Sequence, residues 1–239
     1  QPFSNLLCVI DIVHYLQMKI VGHRGARGLA PENTIASLRK GLAHNVDALE
    51  FDLRVTKDGV VVLHHDAEIT DPNGAKHTIA DFSYKELQQH KADLATFIEV
   101  LEKIGQPVPL YIEIKAGEPL KPIIAILKFY LEKPNSKAED LWLASFDQGI
   151  LRESHKALPE LPKVVIEKWS GVRAARRARE VNAQYICMNQ RWLWWGFIRS
   201  MSRKHKLLAY TVNNPAQAKR WQAQGLYGIV TDYPDLFEK

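Results

Sequence analysis

Residues 19–53 read KIVGHRGARGLAPENTIASLRKGLAHNVDALEFDL, and the order of patterns in this stretch decides the fold. Lys19–Gly22 is a short apolar run of strand type. In Pro31–Asn45, Pro31 stands near the start and Ile35, Leu38 and Leu42 form one helical stripe. Ala48–Leu53 is strand-like again. Strand, crossover helix and strand make a βαβ unit, whose strands lie parallel. Further strand-like runs fall at Leu110–Ile114, Leu141–Ser145, Lys163–Ile166, Tyr185–Met188, Leu207–Val212 and Tyr227–Thr231. Helical spacing fills Leu120–Leu131, Gln148–Ala157, Val172–Val181, Trp192–Lys204 and Pro215–Gln224. Repetition of this kind predicts an α/β fold, a closed (β/α)8 barrel rather than an open doubly wound sheet. No Gly-rich dinucleotide or Walker fingerprint supports the open alternative.

Size and composition agree with one barrel. The chain has 239 residues, 46% hydrophobic and 25% charged, which excludes a disordered, collagen-like or disulfide-framework chain. Lys and Arg number 32 against 27 Asp and Glu, a net charge of +5 that favours anionic partners without choosing among them. The two cysteines, Cys8 and Cys187, form no metal or disulfide framework and read as reduced, buried thiols of a cytoplasmic protein. No apolar run reaches the ~18 residues that span a bilayer, so no stable membrane insertion is expected. Asp11 interrupts the apolar run Leu6–Ile10. Residues 1–17 therefore read as an upstream extension or a cloning remnant, with a short docked helix as the alternative, and residues 18–239 as a single barrel domain.

One strand-like run, Val60–His65, stands outside the repeat. It follows Thr56-Lys57-Asp58-Gly59, and Asp-Gly between apolar runs predicts a β-hairpin inserted after the second strand. A two-residue turn sets Asp52 opposite His65 and Arg54 opposite Leu63. A bulged three-residue turn slips the register by one and sets His64 there instead.

Barrel enzymes collect their chemistry at the C-terminal ends of the strands. His23 and Arg24 follow the first strand, Glu50 and Asp52 share a face of the second, and His64-His65-Asp66 ends the hairpin. Glu113 and Lys115 share a face of the third barrel strand. Each residue alone has an ordinary structural explanation, but together they converge on one mouth. Burying three acids together is prohibitive without a cation, and oxygen-only ligands favour Mg²⁺ or Ca²⁺.

The ordered motifs resemble the glycerophosphodiester phosphodiesterases. They are His23-Arg24-Gly25 with Ala30-Pro31-Glu32-Asn33-Thr34, Glu50-Phe51-Asp52, Thr56-Lys57-Asp58-Gly59, His65-Asp66, Glu113-Ile114-Lys115, Ser145-Phe146, Thr211-Val212-Asn213 and Thr231-Asp232-Tyr233-Pro234. The resemblance implies a (β/α)8 barrel that hydrolyses a small-molecule glycerophosphodiester to an alcohol and sn-glycerol 3-phosphate with a divalent metal. It implies Glu50, Asp52 and Glu113 as metal ligands, His23 and His65 as general acid and base, Arg24 and Lys115 as phosphate ligands, and Glu32 as support for the site. It also selects His65 over His64. Two alternatives are a phosphodiesterase acting on lysophospholipids and a barrel that binds phosphodiesters without cleaving them.

Three features stand outside the shared pattern. The segment after His65-Asp66 lacks the Arg that family members carry there, which bears on the alcohol side of the substrate. Trp192, Trp194, Trp195 and Phe197 crowd the start of a helix near the mouth, with Trp192 and Trp195 as a candidate wall for the alcohol or a membrane contact. Arg173, Arg176, Arg177 and Arg179 read as a solvated helix face, since no nucleic-acid recognition motif accompanies them.

Overall fold

The computed structural model describes residues 18–238. Cys8 and the proposed extension of residues 1–17 lie outside the described residues. The strands are β1 (Lys19–Gly22), β2 (Ala48–Val55), β3 (Val61–Leu63), β4 (Glu68–Thr70), β5 (Lys76–Thr78), β6 (Leu110–Ile114), β7 (Leu141–Ser145), β8 (Lys163–Glu167), β9 (Tyr185–Asn189), β10 (Lys206–Tyr210) and β11 (Gly228–Thr231). The helices are α1 (Ile35–Ala43), α2 (Tyr84–His90), α3 (Phe97–Lys103), α4 (Leu120–Leu131), α5 (Gln148–Ala157), α6 (Gly171–Glu180), α7 (Trp195–Met201) and α8 (Pro215–Gln222).

Strand order β1-β11-β10-β9-β8-β7-β6-β2, with β1 pairing back to β2, closes a barrel whose neighbours are all parallel. Alternation along β2 explains the layering. Leu49, Phe51 and Leu53 join the apolar cluster that also holds Leu38 of α1 and Phe97 of α3. Ala48 belongs to the interior cluster with Val21, Tyr111, Trp142, Val164 and Val230. Glu50 and Asp52 therefore share its inward direction. Among the described residues no helix is long and apolar enough to cross a membrane.

β3 pairs antiparallel with β2, with Leu53 opposite Leu63, Arg54 opposite Val62 and Val55 opposite Val61. This corrects the two-residue-turn register by one position, and His64 N donates to Asp52 O at 3.1 Å. The turn is the cause. Thr56 N donates to Val60 O at 2.9 Å, enclosing Lys57-Asp58-Gly59, and Gly59 sits at φ 80°, where a three-residue turn needs a left-handed residue.

Helix ends follow their caps. The helix expected from Pro31 begins at Ile35 because the Thr34 hydroxyl accepts from Ser37 N at 3.1 Å. The hairpin β4–β5 and helices α2 and α3 precede β6. Both helices start at capping boxes, Ser83 with Glu86 and Thr96 with Glu99.

Candidate active site

The first βα turn is the tightest part of the site. Gly25 has φ 87°, and a Cβ there would lie 2.4 Å from the carbonyl carbon of Ser37. Arg24, at φ 48°, also adopts the left-handed region, a local strain of order 1 kcal/mol that the surroundings must offset. In return its amide donates to Glu50 Oε2 at 2.7 Å. Its guanidinium donates to Glu32 at 2.7 Å and lies 3.3 Å from Asp52 Oδ2.

Parallel pairing of β2 with β6 sets Asp52 beside Glu113. Carboxylate oxygens of Glu50, Asp52 and Glu113, all buried, lie within 4.8 Å of one another. Lys115 Nζ contacts Asp52 Oδ1 at 2.5 Å and bonds Glu113 Oε1. Asn33 donates its amide to Asp52 Oδ2 at 2.8 Å and accepts the Asp52 backbone N–H at 3.1 Å. Burial, then the lysine and arginine charges that outweigh it, leave Asp52 below its ordinary value. Glu50 moves the other way: burial first, then the charges of Asp52 and Glu113, raise it well above the carboxylate range. Burial likewise raises Glu113, aided by Asp52. Glu50 Oε1 is buried and has no hydrogen-bond partner. Three converging carboxylates with one orphaned oxygen fit a hard divalent cation.

Two imidazoles flank this cluster. His23 Nδ1 bonds Asp232 Oδ1 at 2.5 Å, and its Nε2 stands 4.0 Å from Glu50 Oε2. Asp232 is itself held by the Asn213 amide at 2.9 Å and lies 3.3 Å from Arg27 Nε. A carboxylate on Nδ1 fixes the tautomer that leaves Nε2 as the reactive nitrogen. His65 Nδ1 bonds Asp66 Oδ1 at 2.7 Å, and Arg54 clamps its backbone carbonyl at 2.8 Å. Burial lowers both histidines from their ordinary value; Asp232 opposes this at His23, while Lys115 reinforces it at His65.

One cavity of about 210 Å³ holds His23, Arg24, Glu50, Asp52, Glu113 and His65. His65, not His64, lines it; the last bond of the β2–β3 pair is the one from His64 N to Asp52 O. Lys115 touches two of the lining carboxylates, and Glu32 joins through Arg24 rather than through the carboxylate trio. Trp192 and Trp195, expected as a wall for the alcohol, are not among the residues lining this cavity, whose apolar side comes from Phe146, Ile166 and Tyr210. The loop after β9 leaves both indoles on the outer surface, about half exposed. Asp232 stands in the Thr231-Asp232-Tyr233-Pro234 motif, to which the sequence attached no role in the site. Its signal was position, directly after the last barrel strand.

A second group, Asp71, His77 and His90, ties the β4–β5 hairpin to α2. The His77 and His90 rings stack at 3.6 Å and 17°. Imidazole lone pairs lie in the ring plane, so stacked rings do not aim at a common ion. Asp71 Oδ1 is also occupied by the Asn73 and Ala75 amides at 2.8 and 2.9 Å. The group is a clasp on the hairpin.

Comparison with known proteins agrees with this geometry. Residues 23–236 match the model of the Glycerophosphoryl diester phosphodiesterase family. A glycerophosphodiester phosphodiesterase of Bacillus subtilis is 32% identical over 92% of this chain and 85% of its own. One from Caldanaerobacter subterraneus is 27% identical over 90% of this chain and 94% of its own. Among solved structures, an Oleispira antarctica phosphodiesterase in complex with its product sn-glycerol-3-phosphate superposes with a TM-score of 0.81 at 24% identity, over 93% of this chain and 96% of that one. A glycerophosphodiester phosphodiesterase from Agrobacterium tumefaciens gives 0.77 at 22%, over 93% of this chain and 100% of that one. The structural likenesses establish the barrel.

Proposed function

The chain belongs to the glycerophosphoryl diester phosphodiesterase family, and from that footing we propose that it hydrolyses glycerophosphodiesters to an alcohol and sn-glycerol 3-phosphate, aided by a divalent metal. The observation that carries this reading is the meeting, in one cavity, of three carboxylates with two carboxylate-backed histidines. Glu50, Asp52 and Glu113 would hold Mg²⁺ or Ca²⁺, which when bound supplies positive charge against the nonbridging phosphate oxygens.

The protein's own groups do the rest. Lys115 spends two ammonium N–H groups on Asp52 and Glu113, which leaves a third for a phosphate oxygen. Arg24 offers its remaining guanidinium donors to the same anion. His23 and His65 serve as general base and general acid: one takes the proton of the attacking oxygen and the other protonates the departing alkoxide. Asp232 is a positioning residue that holds His23 Nδ1–H and stabilises the imidazolium when Nε2 takes a proton. Each proton transfer contributes roughly 10²–10⁴-fold, so charge stabilisation and orientation supply the remainder. Whether the attacking oxygen is water or the glycerol 2-hydroxyl is decided by the position of label from ¹⁸O water and by trapping a cyclic phosphate.

The test is release of glycerol 3-phosphate from glycerophosphocholine. It is expected to stop in EDTA and return with Mg²⁺ or Ca²⁺. No turnover across a panel of glycerophosphodiesters with metal present would overturn the reading. A lysophospholipid substrate is the second reading, favoured by the exposed aromatic side chains beside the mouth.

A further inference from the structure

We propose that the tryptophan-rich rim of the barrel mouth docks on an anionic phospholipid bilayer and presents the site to phosphodiesters at the lipid surface. The substrate part of this inference rests on the phosphodiesterase reading of the site; the docking part does not.

Trp169 follows β8, and Trp192, Trp194 and Trp195 follow β9, at the C-terminal end of the barrel where His23 and Asp232 also stand. Their exposures are 56%, 47%, 64% and 58%. Rings of this size, clustered and wet, mark a contact surface rather than ordinary surface composition. Trp169 and Trp192 lean edge to face at 5.8 Å, so the rim is a joined patch. Phe146 connects it to the chemistry: it lines the central cavity, packs against Tyr210 at 6.0 Å, and lines the outer groove that contains Trp169.

Charge identifies the occupant. Arg191 adjoins Trp192 in the loop after β9, Arg199 lies on α7 behind Trp195, and Lys168 adjoins Trp169 after β8. Cations also sit among the rings. Lys168 Nζ lies 4.9 Å from the Trp169 centroid, and the Arg199 guanidinium lies 5.5 Å from that of Trp195. Indole is amphipathic and settles at the boundary between headgroup and acyl chain, while interleaved Lys and Arg attract anionic headgroups. A Trp-rich rim interleaved with Lys168, Arg191 and Arg199 beside a phosphodiester site matches a lipid surface in both polarity and charge.

The experiment is co-sedimentation of the full chain with vesicles of phosphatidylcholine and phosphatidylglycerol, read together with tryptophan emission. Binding and a blue shift are expected, weakening with salt and in pure phosphatidylcholine. The double variant Trp169→Ala/Trp194→Ala is expected to lose at least about tenfold in partitioning. Its hydrolysis of soluble glycerophosphocholine is expected to stay within about twofold, and Trp169→Phe/Trp194→Phe to retain most binding. Lys168→Glu/Arg199→Glu is expected to lose about fivefold per charge. No vesicle binding, or binding unchanged in the alanine variant, overturns the proposal. So does a dimer that the alanine variant splits while vesicles bind neither form, which would assign the rim to a second copy of the chain. Vesicle binding without hydrolysis of any diester supports the docking surface and removes the phosphodiesterase reading instead.

Discussion

Asp232 shows how much of the chemistry rests on single contacts. Its bond to His23 Nδ1 leaves Nε2 facing the carboxylates, and Asn213 and Arg27 in turn hold Asp232. Asp232→Asn is expected to lower kcat/KM by about 10²–10⁴-fold with metal affinity unchanged, measured by kinetics and calorimetric metal titration. Burial already holds His23 below its ordinary value, with the Asp232 bond opposing. Removing that anion is expected to lower His23 further, so the acidic limb of the pH–rate profile moves to lower pH. A limb that stays in place would show that Asp232 does not support His23. Gly25 carries a backbone demand of the same weight. Gly25→Ala sets a Cβ 2.4 Å from the Ser37 carbonyl carbon at positive φ, and is expected to cost more than about 2 kcal/mol by urea titration. The ligating and titrating side chains were legible because two-residue spacing puts Glu50 with Asp52 and Glu113 with Lys115. Asp232 was harder to read because its role depends on a partner more than 200 residues away, at the closure of β1 with β11.

At the level of elements, β8 and α6 are joined by Glu167. Its carboxylate, buried, bonds Arg173 Nη2 at 2.5 Å and Nε at 2.7 Å, and Arg177 Nη1 at 3.4 Å. Burial would raise Glu167, but the bonds from Arg173 and nearby backbone amides prevail and lower it to about 2. A depressed carboxylate adds stability above its unfolded value, and that stability is lost as pH falls from about 4.5 toward 2. Glu167→Gln is therefore expected to cost roughly 1–3 kcal/mol at pH 7, with the deficit shrinking at pH 3 in urea titrations. An equal deficit at both values would contradict the ion-pair explanation. So Arg173 and Arg177, which the sequence suggested as part of a solvated face, include a buried structural member, Arg177. The barrel strands were readable from their apolar runs, since parallel strands buried on both faces lose polar alternation. The β2–β3 register was not, because it turns on whether the loop holds two residues or three, and Asp-Gly serves both.

Across the whole molecule, the closed sheet brings β1, β2 and β6 side by side and so concentrates three acids at one end of the barrel. A cation that binds only the folded chain must stabilise it. At a concentration near 100 times its Kd, the gain is about 2.7 kcal/mol, or roughly 5–10 °C in Tm for a chain of this size. Scanning calorimetry with EDTA against Mg²⁺ or Ca²⁺ checks this, and an unchanged Tm would count against the cradle. The most direct measurement is titration of Mn²⁺ into wild type, Glu50→Gln and His23→Ala, followed by electron paramagnetic resonance, with hydrolysis assayed in the same samples. Wild type and His23→Ala are expected to bind the ion alike, with hydrolysis lost in His23→Ala. Glu50→Gln is expected to bind at least about tenfold more weakly and to be equally inactive. Undiminished Mn²⁺ binding and full metal-dependent hydrolysis in Glu50→Gln would contradict the division of the site into a carboxylate cradle and a histidine pair.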